Sequence, residues 1–223
     1  MSGRRMAAGD MAVIAFGVVM MLGGAAIALA GPREVMPIHW NIRGEADGWA
    51  AREWVGGTVL LLGALLLGAG GALGHYARKA ADESRRRGLR TGQLIVLLTL
   101  PLVAGLGAAA SLSGATTISG ALPMIAVSLI FVVIGALLGR VGPNPVVGVR
   151  TPWAYKSRLA WDRSNRLAGR LFLILGLAGA ALAFVAPQPA GMTGLIIAVL
   201  LAALWSVFES WRVWRADPDR QPF

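Results

Sequence analysis

The chain contains no cysteine, which excludes disulfides and thiolate metal centres. Charge is scarce as well. Only 14% of the 223 residues are Asp, Glu, Lys or Arg, while 56% are hydrophobic and mean hydropathy is +0.65. A soluble domain carries about 25% charged residues, so the deficit points to lipid as the solvent. Neither a HExxH nor a GxSxG pattern occurs, which removes the commonest zinc-hydrolase and serine-hydrolase signatures.

Four stretches lack any Asp, Glu, Lys or Arg: Met11–Ala30, Trp54–Gly74, Thr91–Gly139 and Leu171–Phe208. A spanning helix needs roughly 20 apolar residues. The first two runs each suit one span. The third is too long for one and breaks at the polar "SLSGATTISG", Ser111–Gly120. The fourth breaks at "APQPAG", where two prolines stop a helix. Six spans follow, near 11–31, 54–75, 92–111, 120–139, 168–186 and 191–210. Apart from Arg170 and Glu209 at the inner ends, these spans hold no Asp, Glu, Lys or Arg of the kind that ion-coupled pumps and transporters use.

The expected fold is all-α: a polytopic membrane bundle of six transmembrane helices forming one domain over residues 1–223. Net charge is +10, and its distribution sets the expected orientation. With the N-terminus inside, 18 of the 21 Lys and Arg fall on inner segments, Arg4 and Arg5 among them, and only Arg33, Arg43 and Arg52 lie outside. The positive-inside rule then places both termini in the cytoplasm. The basic charge is thereby a topology signal with the lipid bilayer as partner, and no direct contact with nucleic acid is expected. "ALAGP" at 28–32 resembles a signal-peptidase site, but the apolar run before it exceeds the ~7–15 residues of a signal core. An uncleaved first helix is the expectation.

Two polar loops interrupt the apolar pattern. The outer one, about 31–53, contains "PIHWNIRGEADGW". Trp40, Trp49 and Trp54 suit an interfacial belt, and Gly44 and Gly48 flank a turn. A plain re-entry loop explains those residues but not His39, Asn41, Glu45 and Asp47 within nine positions. Together with Trp40 they form a candidate ligand-binding cluster with donors, acceptors and an imidazole. His39, Glu45 and Asp47 are also the only candidate metal ligands, a weak signature without regular spacing. No cofactor is implied.

The inner loop, about 140–167, reads "NPVVGVRTPWAYKSRLAWDRSNRLAG" from Asn144. Thr151 followed by Pro152 is a helix start. Trp153, Ala160, Leu167 and Leu171 recur at helical spacing among five basic residues, which predicts a cationic amphipathic helix lying at the inner interface and running into the fifth span. Asn144, Pro145 and Gly148 form a turn that aims Arg150. One reading is an anchor on lipid phosphates; the other is a docking surface with Arg150 as a fixed fork. Small residues at Ala26, Gly70, Gly74, Gly135, Gly139, Gly176 and Ala180 suit close helix packing, within the bundle or in a homodimer.

Together the two loops resemble the SdpI family of bacterial membrane proteins. The outer match lies at Pro37, His39, Trp40, Asn41, Gly44, Glu45, Asp47 and Gly48. The inner match lies at Asn144, Gly148, Arg150, Thr151, Pro152, Ser157, Trp161 and Gly169. This chain departs from the pattern at Asn165, where the family carries a His, and at Trp49, where a Tyr is common. The resemblance implies an immunity protein against a secreted killing peptide, which also holds a transcriptional regulator at the membrane. On this reading the outer cluster would meet an extracellular peptide ligand, and Asn144, Gly148, Arg150, Thr151, Trp161 and Asn165 would face a cytoplasmic partner. A transporter or flippase-like exporter is the alternative from the apolar helices, and a membrane-embedded metal-dependent enzyme is a third.

Overall fold

A computed structural model describes residues 6–41, 43–144 and 147–221. Arg4, Arg5 and Pro145, which entered the reading of charge and of the inner turn, lie outside the described residues. The chain order is α1 (Ala8–Ala30), β1 (Val35–Trp40), β2 (Ala46–Ala51), α2 (Arg52–Leu65), a π-helical turn (Leu66–Gly70) and α3 (Gly71–Lys79). Then follow α4 (Glu83–Ser113), α5 (Ala121–Leu138), α6 (Pro152–Tyr155), α7 (Arg158–Leu182) and α8 (Ala190–Ala216).

Six helical segments are long and apolar enough to cross a membrane: α1, the run Arg52–Lys79, Arg85–Ser113 within α4, α5, α7 and α8. Lipid offers no hydrogen bonds, so a spanning backbone must satisfy its own. Helix ends coincide with local chemistry. Asp82 caps α4 by accepting the Arg85 amide at 2.7 Å. Gly114, at φ 64°, ends the same helix in the left-handed conformation that costs glycine least. Pro101 sits inside α4, a position that transmembrane helices tolerate.

Helices associate through glycine. α1 meets α2 so closely that a Cβ on Gly24 would lie 2.6 Å from the Gly56 carbonyl. α7 meets α5 in the same way, a Cβ on Gly176 lying 2.7 Å from both the Ser128 carbonyl and the Val132 amide. Without a hydrophobic gain between helices in lipid, such backbone approach is what holds them. Gly70, Gly74, Gly135 and Gly139 all face atoms of this same chain, so packing within the bundle uses the glycines that sequence left open to dimerisation. Ala26 is exposed and Ala180 half-buried. Val13, Met20, Leu66 and Ala104 form one core between α1, the π turn and α4. Met124, Ala183, Leu195 and Val199 form another between α5, α7 and α8.

Two details differ from the sequence reading. The outer loop is a β-hairpin, with β1 antiparallel to β2 and His39 opposite Gly48. The inner amphipathic helix runs into the fifth span as expected, but it does not start at Thr151. One turn, α6, ends at Lys156, and Ser157 caps a new helix that continues unbroken as the fifth span. The extended backbone at Ser157, φ −148°, interrupts the helical run that the apolar spacing suggested.

Candidate functional site

The hairpin and the basic loops occupy opposite ends of the bundle, because α1 runs from Asp10 at the basic end to Ala30 at the hairpin. A two-stranded hairpin alone is marginally stable, and this one is anchored. The Ala46 amide donates to the Thr116 carbonyl at 2.7 Å, and the Ile118 amide donates to the Gly44 carbonyl at 2.8 Å. The Trp40 indole N–H reaches the Ala115 carbonyl at 3.1 Å, and Arg33 donates to the Leu112 carbonyl at 2.9 Å. The polar break between the third and fourth spans therefore serves as a third, strand-like partner. Met36 and Pro37 are fully buried beneath it. Gly44 has φ 80°, and a Cβ there would run into the Ile118 carbonyl.

The cluster singled out in the outer sequence splits in two. Asn41 organises the turn: its Oδ1 accepts the amides of Arg43 at 2.8 Å and Glu45 at 3.1 Å, while its Nδ2 donates to Glu45 Oε2 at 3.0 Å. His39 and Asp47 form a separate pair across the strands, Nδ1 to Oδ1, at 2.5 Å, with side chains 69% and 46% exposed. The metal reading does not gather. Among the described residues no three of His, Asp or Glu converge on one point, because Glu45 is turned toward Asn41 and away from His39. Beneath the hairpin lies a cleft of about 430 Å³ between β1, α2 and α4, lined mainly by apolar side chains including Ile38, Trp40, Trp54, Leu62 and Val103. Trp54 and Trp49 are exposed, in keeping with an interfacial belt.

At the other end, the inner residues form a clasp. Asn144 donates to the carbonyls of Gly142 and Val147, both at 2.9 Å, and accepts the Val147 amide at 2.8 Å. Trp161 is fully buried, and its indole N–H meets the Val141 carbonyl at 2.7 Å. Asn165 accepts the Val149 amide at 2.7 Å and donates to the Trp161 carbonyl at 3.0 Å. Gly148 has φ 129°, and a Cβ there would lie 2.6 Å from Asn165 Oδ1. Thr151 caps α6 through the Ala154 amide and shares a 2.7 Å hydrogen bond with Ser210 on α8. Ser157 caps α7 and bonds Asp217. Tyr155 donates to the Asn144 carbonyl and accepts from Arg150 Nε.

These residues thus bind the loop to α7 and α8. Asn144, Trp161 and Asn165 are too buried to touch a partner directly, whereas Arg150 presents an exposed guanidinium beside them.

Sequence reasoning missed Asp10. It lies one residue before the first apolar run and is buried at 5% exposure. Its carboxylate accepts Arg90 Nη1 at 2.6 Å, Arg78 Nη1 at 2.7 Å and Gln93 Nε2 at 2.9 Å. These three partners stand 68 to 83 positions away, and the Ala7 amide donates to the same carboxylate at 3.0 Å. The only local signal is a lone acid at the start of an otherwise uncharged helix.

Residues 140–210 match the family described as the SdpI/YfhL protein family. That segment contains the clasp, α7 and most of α8. The protein described as "Immunity protein SdpI" from Bacillus subtilis (strain 168) is 30% identical over 87 residues, which are 39% of this chain and 42% of that protein. The match thus spans less than half of the relative's length. No solved structure matches the chain.

Proposed function

As a multi-pass bacterial membrane protein of the SdpI/YfhL family, the chain is, we propose, an immunity protein that protects its cell from a secreted, membrane-active peptide. The observation that carries the reading is the His39–Asp47 pair, displayed on a hairpin anchored to the connector between α4 and α5. A pair held on a braced strand presents donor and acceptor without ordering cost at binding. The apolar cleft beneath the hairpin suits the greasy side chains that a membrane-active peptide must carry. The hairpin faces the outside in this reading, as the charge distribution favours. Arg150, exposed beside the clasp, is the contact for a cytoplasmic regulator.

The test is protection. A sensitive host expressing the chain is challenged with any small secreted peptide encoded beside its gene. His39→Ala and Asp47→Ala each abolish protection while the protein remains at parental level in the membrane. Full protection by both variants sinks the outer-site reading. A loss of regulator recruitment in Arg150→Ala, with protection kept, supports the signalling arm.

A further inference from the structure

The basic end of the bundle holds a feature that the immunity reading does not use. A cleft of about 850 Å³ lies among the start of α1, the end of α3, the first turns of α4 and Arg140 after α5. Arg78, Arg86, Arg87, Arg90 and Arg140 line it, with Glu83 as the carboxylate at its wall. Most of the exposed lining is carbon, to which Leu94 contributes.

Two of these arginines are fixed in advance. Asp10, its side chain only 4% exposed, holds Arg78 and Arg90 from below, and each keeps about a quarter of its surface open, 26% and 27%. Arg87 comes no nearer than 3.7 Å to Glu83 and is 73% exposed. Among the described residues, Arg140 has no carboxylate partner. A second cleft of about 290 Å³ shares Arg87 and Arg140 and adds Arg158, Arg166 and Asp162. Across both, seven arginines face three carboxylates, Asp10 included.

We propose that this cleft binds the phosphate headgroup of an anionic membrane lipid. Guanidinium forks match phosphate oxygens in pairs, and several converging forks select for that geometry over a diffuse charge. Basic pockets between transmembrane helices at the cytoplasmic side are where such headgroups dock. The carbon wall beside the arginines favours a lipid over free phosphate, since only a lipid brings glycerol and acyl carbon to cover it. The cleft lies at the ends of spanning segments, the depth at which headgroups reside.

The experiment uses the purified full chain in detergent, titrated with phosphatidylglycerol, with phosphatidylcholine and with inorganic phosphate, and reads retained lipid by native mass spectrometry. The parent retains phosphatidylglycerol at least about tenfold more tightly than phosphatidylcholine. Arg87→Gln combined with Arg140→Gln lowers that affinity about tenfold or more, at roughly fivefold per charge. The control is Arg163→Gln combined with Arg170→Gln, which removes equal charge from the same end around a different cavity; it stays within about twofold of the parent. If the double cleft variant fails to fold, Arg87→Gln alone, on an exposed side chain, loses about fivefold. Three results overturn the proposal: equal retention of the two lipids, equal losses in cleft and control variants, or displacement of the lipid by millimolar phosphate.

Discussion

Asn165 Oδ1 accepts the Val149 amide at 2.7 Å, tying the inner loop to the middle of α7. The same side chain donates to the Trp161 carbonyl one turn earlier. The departure from the family pattern at this position therefore falls on a structural bridge, where an amide side chain supplies both a donor and an acceptor.

Asn165→Ala leaves the half-buried Val149 amide without its partner. The expected cost is about 1–3 kcal/mol, read as a lowered midpoint in thermal unfolding followed by Trp fluorescence in detergent. Arg150→Ala, on an exposed side chain, shifts the midpoint far less. Equal shifts would show that the loop is not held through Asn165.

Asp10→Ala removes the carboxylate under two arginines. Breaking a fully buried ion pair costs about 3–5 kcal/mol. The arginines here are a quarter exposed and water screens part of the loss, so about 2–3 kcal/mol is expected. The cost appears as reduced yield of monodisperse protein and a lower unfolding midpoint. Arg78→Ala costs less, because Arg90 and Gln93 still satisfy the acid.

Gly56→Val places carbon against the backbone of α1 near Gly24 and Ala28, which cannot yield as a flexible side chain would. Overpacking typically costs about 1–3 kcal/mol, and the separation of α1 from α2 puts this variant at the upper end. Gly57→Ala, one residue on, meets nothing within 4 Å and is neutral. Fluorescence-detected size exclusion compares the two.

Trp40→Phe keeps an aromatic ring, though a smaller one, and loses the indole N–H bond to the Ala115 carbonyl. Hydrogen exchange at the Ala46 and Ile118 amides then speeds up by about fivefold, equivalent to about 1 kcal/mol for one hydrogen bond. His39→Ala, on the exposed side of the hairpin, leaves those amides as protected as before. A protection defect in His39→Ala that keeps this exchange pattern separates recognition from collapse of the hairpin.

The absence of cysteine makes orientation easy to probe. His39→Cys is labelled by a membrane-impermeant maleimide on intact cells, and Arg150→Cys only after permeabilisation. The reverse pattern would invert the assignment of both loops.

The six spans were legible in the sequence because length and unbroken apolarity are local properties. So was the cap at Thr151, which depends on a neighbour three residues away. The hairpin was not. Val35–Trp40 shows no clean alternation, Pro37 argues against a strand, and the anchoring partners lie some 70 positions on, in a segment that reads as a mere break. The inner residues misled in another way. Asn, Trp and Thr beside arginines read as a surface, yet the loop backbone leaves carbonyls and amides unpaired near lipid, and those side chains turn inward to meet them. Of Asn144, Gly148, Arg150, Thr151, Trp161 and Asn165, only Arg150 is exposed. Asp10 escaped notice because a single carboxylate has meaning only once the chain has folded two distant arginines onto it.

The π turn at Leu66–Gly70 bears on this last point. A wide turn accommodates one residue beyond the regular count, and each residue rotates a helix by about 100°. Leu66 is fully buried within it, and the Gly70 carbonyl accepts a hydrogen bond from Gln93 Nε2. The wide turn therefore absorbs the surplus residue and passes no rotation to the half of the span beyond it. Deleting one residue there would close the turn to the regular pitch with Arg78 still facing Asp10, and would draw the Gly70 carbonyl back into the helix ladder and away from Gln93.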